Sequence, residues 1–308
     1  MKTIAARIAG IAAISGLFFS VSAQAETLAD ICGDCQFEKW ASCGQFLEGI
    51  NFDRNGHAWA VSLQSGEILE ITAGTCTARA KTGGRANGAR FHQDGRLFIT
   101  DNVRGILAYN PADGSIAVIA DKIGGKPMVN ANDLVFDAKG GIYVTVPGTS
   151  HFLSRTGKVG YIAPGSNNAT VIAEGLAYPN GIVLHPGGKF LNVGLFGIKT
   201  IMTIPSVENA GGPRPAYAAV HTEGGIGPDG MGMDSEGRAY WANFLSGAVG
   251  ITDKRGFVAG YAKLPDEAGL WTTNLAFWQG YLYVTEAGKG EVWRMKVKTT
   301  GQELYYKP

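Results

Sequence analysis

A polar residue, a short apolar run, a turn built on Asp, Gly or Asn, and a second apolar run recur six times along the chain. The copies read LEGINFDRNGHAWAVS from Leu47, NGARFHQDGRLFITD from Asn87, NDLVFDAKGGIYVT from Asn132, NGIVLHPGGKFLNV from Asn180, DGMGMDSEGRAYWANF from Asp229 and NLAFWQGYLYVTE from Asn274. Two more short apolar runs follow each copy. The first repeat continues with GEILEIT and CTARAKT, the fifth with GAVGITD and GFVAGYAKL, and the sixth with GEVWRMKV and QELYYKP. Runs of this length, set off by Gly, Asp, Asn and Pro, read as strands, four to a unit. No sustained helical period interrupts them. A four-stranded sheet alone leaves both faces bare, and radial stacking covers them. The pattern therefore predicts an all-β fold, a six-bladed β-propeller with four-stranded blades spanning residues 48–308.

The leading polar residues are Glu48, Asn87, Asn132, Asn180, Asp229 and Asn274, and successive differences in their numbers are 39, 45, 48, 49 and 45. Each opens the innermost strand of its unit, so propeller geometry carries all six to one mouth of the central channel. A single Asn at a turn is explained by the turn itself. Six equivalent oxygen-bearing positions, two of them carboxylates, point to one shared site.

The N-terminal residues change the picture of where the chain works. Lys2 and Arg7 precede an apolar stretch from Ile8 to Val21, and Ala23-Gln24-Ala25 makes a small-x-small cleavage site. Residues 1–25 read as a secretory signal peptide, which places the mature protein in the periplasm or outside the cell. The leader holds two of the 27 basic residues and none of the 26 acidic ones, leaving 25 against 26 and a formal charge of −1. A near-neutral chain without a basic run is poorly suited to nucleic acid or to a membrane surface after cleavage. A monomer acting on a small molecule is the expectation.

Residues 26–47 fall outside the repeat and carry Cys32, Cys35 and Cys43; Cys76 lies in the first repeat. This segment reads as an N-terminal cap, a short helix, or a strand that helps close the ring. Four cysteines in an exported chain imply disulfides, with three pairings open. One bridge is expected to tie the segment to the first repeat through Cys76. A zinc or redox role for Cys32-Gly-Asp-Cys35 lacks the second ligand pair or the βαβ unit it would need.

A ring of carboxylate and amide oxygens without His or Cys selects a hard cation. Calcium is the first expectation; magnesium, manganese or zinc would also fit. Two carboxylates leave coordination positions open, and an open metal site polarises carbonyls and acidifies bound water. That chemistry suits hydrolysis of an ester or lactone.

The phrases EGI at Glu48, NDLVFDAKGGIYVT at Asn132, YPNGIVLHPGGKFLNV at Tyr178 and GPDGMGMDSEGRAYW at Gly227 resemble the gluconolactonase, senescence marker protein and luciferin-regenerating enzyme superfamily. The resemblance implies a divalent metal, usually calcium, held by Glu48, Asn180 and Asp229, with Asn132 beside it touching substrate. It also gives Asp229 the role of general base. Asn87, Asn130, Asn274 and His151 are further candidates for binding substrate. Members acting on sugar lactones often carry Arg two residues before the Asn of the third repeat; here that residue is Asn130, which argues against a sugar-acid lactone. The expectation is a metal-dependent lactonase using metal-bound water in the channel. Two alternatives stand beside it: a non-catalytic binding propeller with structural calcium, and a lyase or condensing enzyme on the same site.

Other residues carry less. His57, His92 and His185 lie in turns expected on the opposite face, and His221 ends an outer strand. Asp101 and Glu286 end strands at the site's face, where satisfying loop amides is their expected work. Phe196, Phe244 and Trp271 are placed to wall a pocket there. No G-x-S-x-G occurs.

Overall fold

The computed structural model describes residues 25–209 and 216–302. Apart from the short helix Leu28–Cys32 and the 3-10 turn Phe196–Ile198, its regular structure is β, arranged as six blades. Blade 1 runs Leu47–Phe52, Ala58–Ser62, Glu67–Thr72, Thr75–Lys81, from the channel outward, with each strand antiparallel to the last. Blades 2, 4 and 5 repeat this order from Ala86–Phe91, Pro179–Leu184 and Gly227–Met233. Blade 3 begins at Leu134–Phe136, and its outer edge carries an extra hairpin, Lys122–Ile123 with Lys126–Pro127. The expected propeller is thus observed.

Blade 6 shows where sequence reading alone stops. Its inner three strands are Thr272–Trp278, Tyr281–Glu286 and Glu291–Lys296. The place expected for QELYYKP is taken by Phe37–Ser42 from the N-terminal segment, pairing antiparallel with the third strand from Phe37↔Met295 to Ser42↔Glu291. The cap segment is therefore helix and closing strand together. Gln302 follows the isolated bridge Asp234↔Gly301, and residues 303–308 lie outside the described residues. So does the expected leader, save Ala25. Among the described residues no helix is long and apolar enough to cross a membrane.

Inner strands are buried on both sides because each blade face packs on a neighbour. Trp293 and Leu282 of blade 6 meet Tyr240, Val249 and Ile251 of blade 5 in one apolar layer, and Val135, Tyr143, Ile182 and Val193 join blades 3 and 4 in another. Outer strands such as Thr75–Lys81 face solvent.

Two disulfides, Cys32–Cys35 and Cys43–Cys76, involve all four cysteines. They are compatible with an oxidising compartment outside the cytoplasm. Cys43 follows the closing strand and Cys76 lies in the outer strand of blade 1, so this bridge locks the seam where the ring closes. Its sequence separation is 33, and chain entropy assigns a loop of that size about 4 kcal/mol. The double variant Cys43→Ser/Cys76→Ser should lose about that much stability. Denaturant titration would show it, and an unchanged midpoint would refute the locking role.

Candidate functional site

In five blades the leading polar residue is the second or third residue of the innermost strand, and the ladder slips there; in blade 3 Asn132 lies two residues before Leu134–Phe136. Register shifts fall between Glu48 and Asn51, Ala86 and Ala89, Pro179 and Ile182, Pro228 and Met231, and Thr272 and Leu275. A bulge at the same place in five blades re-aims the side chain before it. In four repeats Gly follows the leader: Gly49, Gly88, Gly181 and Gly230. None of these four has positive φ; space is what each supplies. A Cβ on Gly49 would lie 2.3 Å from the Ala89 nitrogen of blade 2, one on Gly181 2.3 Å from the Asp229 carbonyl of blade 5, and one on Gly230 2.4 Å from the Asn274 side chain of blade 6. These glycines let neighbouring inner strands close around the channel.

Hydrogen bonds complete the ring. Thr145 Oγ1 of blade 3 donates to the Asn180 carbonyl at 2.6 Å, and Thr273 Oγ1 of blade 6 to the Leu47 carbonyl at 2.8 Å. Gly88 N donates to the Asn132 carbonyl at 2.8 Å. Glu48, Asn87, Asn132, Asn180, Asp229 and Asn274 are all buried, none more than 6% exposed. The six expected residues thus lie at or just before the starts of the inner strands of six adjoining blades.

The structure adds two residues that the repeat pattern hid. Asp133 fills the slot that four other repeats give to Gly. Its Oδ1 accepts from Leu134 N at 2.8 Å and its Oδ2 from Ile182 N at 3.3 Å. Arg90 lies one level deeper; it donates to the Leu134 carbonyl at 2.6 Å and to the Met231 carbonyl at 3.0 Å, and its Nη2 stands 3.9 Å from Asp133 Oδ2. The guanidinium thereby bridges blades 2, 3 and 5. Below it, Asn51, Val135, Val183, Gly232 and Phe277 help line a cavity of about 280 Å³ at the opposite end of the channel.

Burial dominates the electrostatics. It raises Glu48 well above the ordinary carboxylate range, and the negative charges of Asp229 and Asp133 push the same way. Burial likewise raises Asp229 far up, opposed by the Asn180 side chain and helped by Asp133. Asp133 is raised by burial and partly relieved by Arg90. Three mutually repelling buried carboxylates are costly without a cation. Glu48 Oε2 and Asn132 Oδ1 are also buried without a hydrogen-bond partner. Unclaimed hard oxygens beside uncompensated negative charge are what a divalent ion would use, so the residues present fit one.

At the mouth, two residues before their leaders, stand Arg85, Asn130 and Tyr178. Asn130 and Tyr178 have φ of 60° and 52°, an unusual conformation for Tyr. Both are pinned: Asn130 N donates to the Asn102 carbonyl at 2.7 Å, and Tyr178 N to Ser150 Oγ at 3.0 Å. Asn130 Nδ2 donates to the Gly148 carbonyl at 2.9 Å. Burial raises the Tyr178 phenol, while hydrogen bonding to Asn130 lowers it; the charges of Asp229 and Glu48 raise it further.

His151 does not join this group through any hydrogen bond among the described residues; it is exposed, and its Nδ1 accepts from Leu153 N at 3.3 Å. Asp101 and Glu286 behave as loop caps. Asp101 Oδ1 accepts from Val103 N and Arg104 N at 2.9 and 3.0 Å, and Glu286 from Trp271, Gly288 and Lys289 amides. His57, His92 and His185 sit in the turns of the far face, hydrogen-bonded or ion-paired locally. Asp53, His57 and Glu70 bring possible ligand atoms within 4.8 Å there. Trp59 Nε1 occupies Asp53 and Arg79 occupies Glu70, so a local network already accounts for them.

Comparison with known proteins agrees with this architecture. A family model described as the SMP-30/Gluconolactonase/LRE-like region matches residues 46–288. A lactonase drp35 of Staphylococcus epidermidis is 30% identical over 251 residues, 77% of this chain and 76% of that one. Among solved structures, a gluconolactonase of Xanthomonas campestris superposes with a TM-score of 0.76 at 20% identity, covering 88% of this chain and 92% of the other. A calcium-binding regucalcin of Agrobacterium tumefaciens superposes with a TM-score of 0.74 at 21% identity, covering 89% and 98%.

Proposed function

Because the chain belongs to the SMP-30/gluconolactonase/LRE-like family, we propose that it is a lactonase whose activity depends on a divalent metal in the channel, with calcium the first choice. One observation carries the proposal: Glu48, Asp133 and Asp229 are buried together without enough positive charge, beside unpartnered oxygens of Glu48 and Asn132. Glu48, Asn180 and Asp229 would hold the ion. Bound there, it supplies Lewis acidity toward a lactone carbonyl and toward water.

The protein residues supply the rest. Asn132 and Asn87 offer amide donors and acceptors to orient the lactone ring. Asp229, raised by burial when no cation is present, would be ionised once a cation offsets the buried negative charge, and as the carboxylate it takes a proton from the attacking water. It returns that proton to the ring oxygen as the acyl C–O bond breaks, giving a hydroxy acid. Arg90, held by the Leu134 and Met231 carbonyls, stands between the carboxylates and the lower cavity. The drp35 relatives support lactone hydrolysis, and regucalcin supports calcium.

Chelating the purified, leaderless protein should abolish hydrolysis across a lactone panel, and added calcium should restore it. Hydrolysis that survives complete metal removal would overturn metal dependence. Bound metal with no turnover of any lactone would favour a binding propeller instead.

A further inference from the structure

The mouth above the ring carries a continuous run of aromatic side chains. On one side, ring centroids follow one another from Tyr178 to Phe196 at 5.6 Å, to Phe244 at 5.9 Å, to Trp271 at 5.8 Å and to Phe46 at 5.9 Å. This arc is drawn from blades 4, 5, 6 and 1, on loops that precede innermost strands or follow second strands, the face of the carboxylates. Blades 2 and 3 place Arg85, Asn102 and Asn130 on the remaining side, with Asn102 Oδ1 buried without a partner; their loops also carry exposed Val103, Val129, Phe152 and Leu153, but among the described residues no ring there meets the arc at stacking distance.

Packing between blades does not account for the arc. Rings that serve packing, such as Trp241, Trp293 and Tyr143, are fully buried, whereas Trp271 is 40% exposed and Phe46, Tyr178, Phe196 and Phe244 are half-buried. Their backbones are nevertheless fixed. Trp271 N donates to Glu286 Oε1 at 3.1 Å and its carbonyl accepts from Ala287 N at 2.8 Å; Phe196 N donates to the Tyr178 carbonyl at 3.0 Å. Exposed Ile226, Leu245 and Leu270 continue the apolar surface outward on the same side.

We propose that the substrate is a lactone bearing an apolar substituent, alkyl or aryl, which lies along Tyr178, Phe196, Phe244, Trp271 and Phe46 while the lactone ring sits over the carboxylates. This deepens the lactonase reading and rests on it. A polyhydroxylated lactone would turn hydroxyls toward an arc whose polar atoms are few, leaving them unpaired on desolvation. An apolar chain gains contact there with each added methylene; one methylene in an enclosed pocket is worth about 10-fold or more, and a half-exposed arc gains less per step but over several steps.

The test uses γ-lactones with side chains from none to heptyl, with glucono-δ-lactone as polar control, on the leaderless protein loaded with calcium. Expected is a rise in kcat/KM of at least about ten-fold from the unsubstituted to the heptyl lactone, carried by KM. Trp271→Ala and Phe244→Leu should each shrink that ratio severalfold, while Phe257→Ala, an exposed ring on the opposite face, should not change it. Thermal melts establish that each variant is folded. A flat chain-length dependence, a preference for glucono-δ-lactone, or a ratio unmoved in both arc variants would overturn the proposal. If no lactone is hydrolysed, the hydrolase reading fails, and quenching of tryptophan fluorescence decides the rest. Binding that tightens with chain length and weakens in Phe244→Leu upholds the apolar site; binding indifferent to chain length overturns it.

Discussion

Asp229→Asn should lower kcat/KM for lactone hydrolysis by about 10²- to 10⁴-fold, the range for loss of a positioned acid or base, while the fold survives. The substitution keeps shape, and an amide oxygen still faces Asn180. What vanishes is the proton acceptor and one of three buried negative charges. Relieving that repulsion favours folding, so the melting temperature without metal should hold or rise. Glu48→Gln is the companion that separates the two roles of a ring carboxylate. Both variants should bind calcium more weakly, but saturating calcium should rescue Glu48→Gln further than Asp229→Asn. Full turnover in Asp229→Asn at saturating calcium would remove its role as base.

Gly181→Ala should cost about 3 kcal/mol or more, at the upper end for forcing atoms into a packed interior, and lower the melting temperature by roughly 10 °C. Its φ is not positive, so backbone conformation offers Ala no objection. The obstacle is space: the new methyl would sit 2.3 Å from the Asp229 carbonyl and 2.7 Å from Met231 N. Those are main-chain atoms of blade 5, and relief means moving the strand that carries Asp229. Stability and calcium affinity should therefore fall together. A melting temperature within about a degree of the parent would show that the blades can part without strain.

The ring was legible because its members repeat. Six polar residues at one register, each opening an apolar run, stand out in a period of 39 to 49 residues, and bulges at five of them confirm one geometry. Asp133 was less legible because the signal there is a departure: the third repeat spends a carboxylate where others keep Gly. Arg90 reads as a lone charge in an inner strand, and only cross-channel contact with Met231 gives it meaning. The closing strand was undecidable for another reason. Phe37–Ser42 finds its partner about 250 residues away, at Glu291–Lys296, and pairing over such a distance leaves no local periodicity to read. The aromatic arc was legible in part: Phe196, Phe244 and Trp271 could be placed at the mouth from their strand ends, whereas Tyr178 and Phe46, which extend it, share no spacing with them.

The seam between first and last strands also orders events in time. Blades 1 to 5 are each continuous in sequence and complete as soon as their own strands have been made. Blade 6 must wait for Glu291–Lys296, which then recruits a strand synthesised at the very start. Until then blade 6 lacks both of its outer strands, and blades 1 and 6 can meet only through inner-strand contacts such as Thr273 Oγ1 on the Leu47 carbonyl. A chain truncated before Glu291 should thus forfeit calcium affinity along with its last blade, even though every assigned ligand precedes the cut. If that loss is seen, ring closure, more than the making of any one blade, is the step that completes the site.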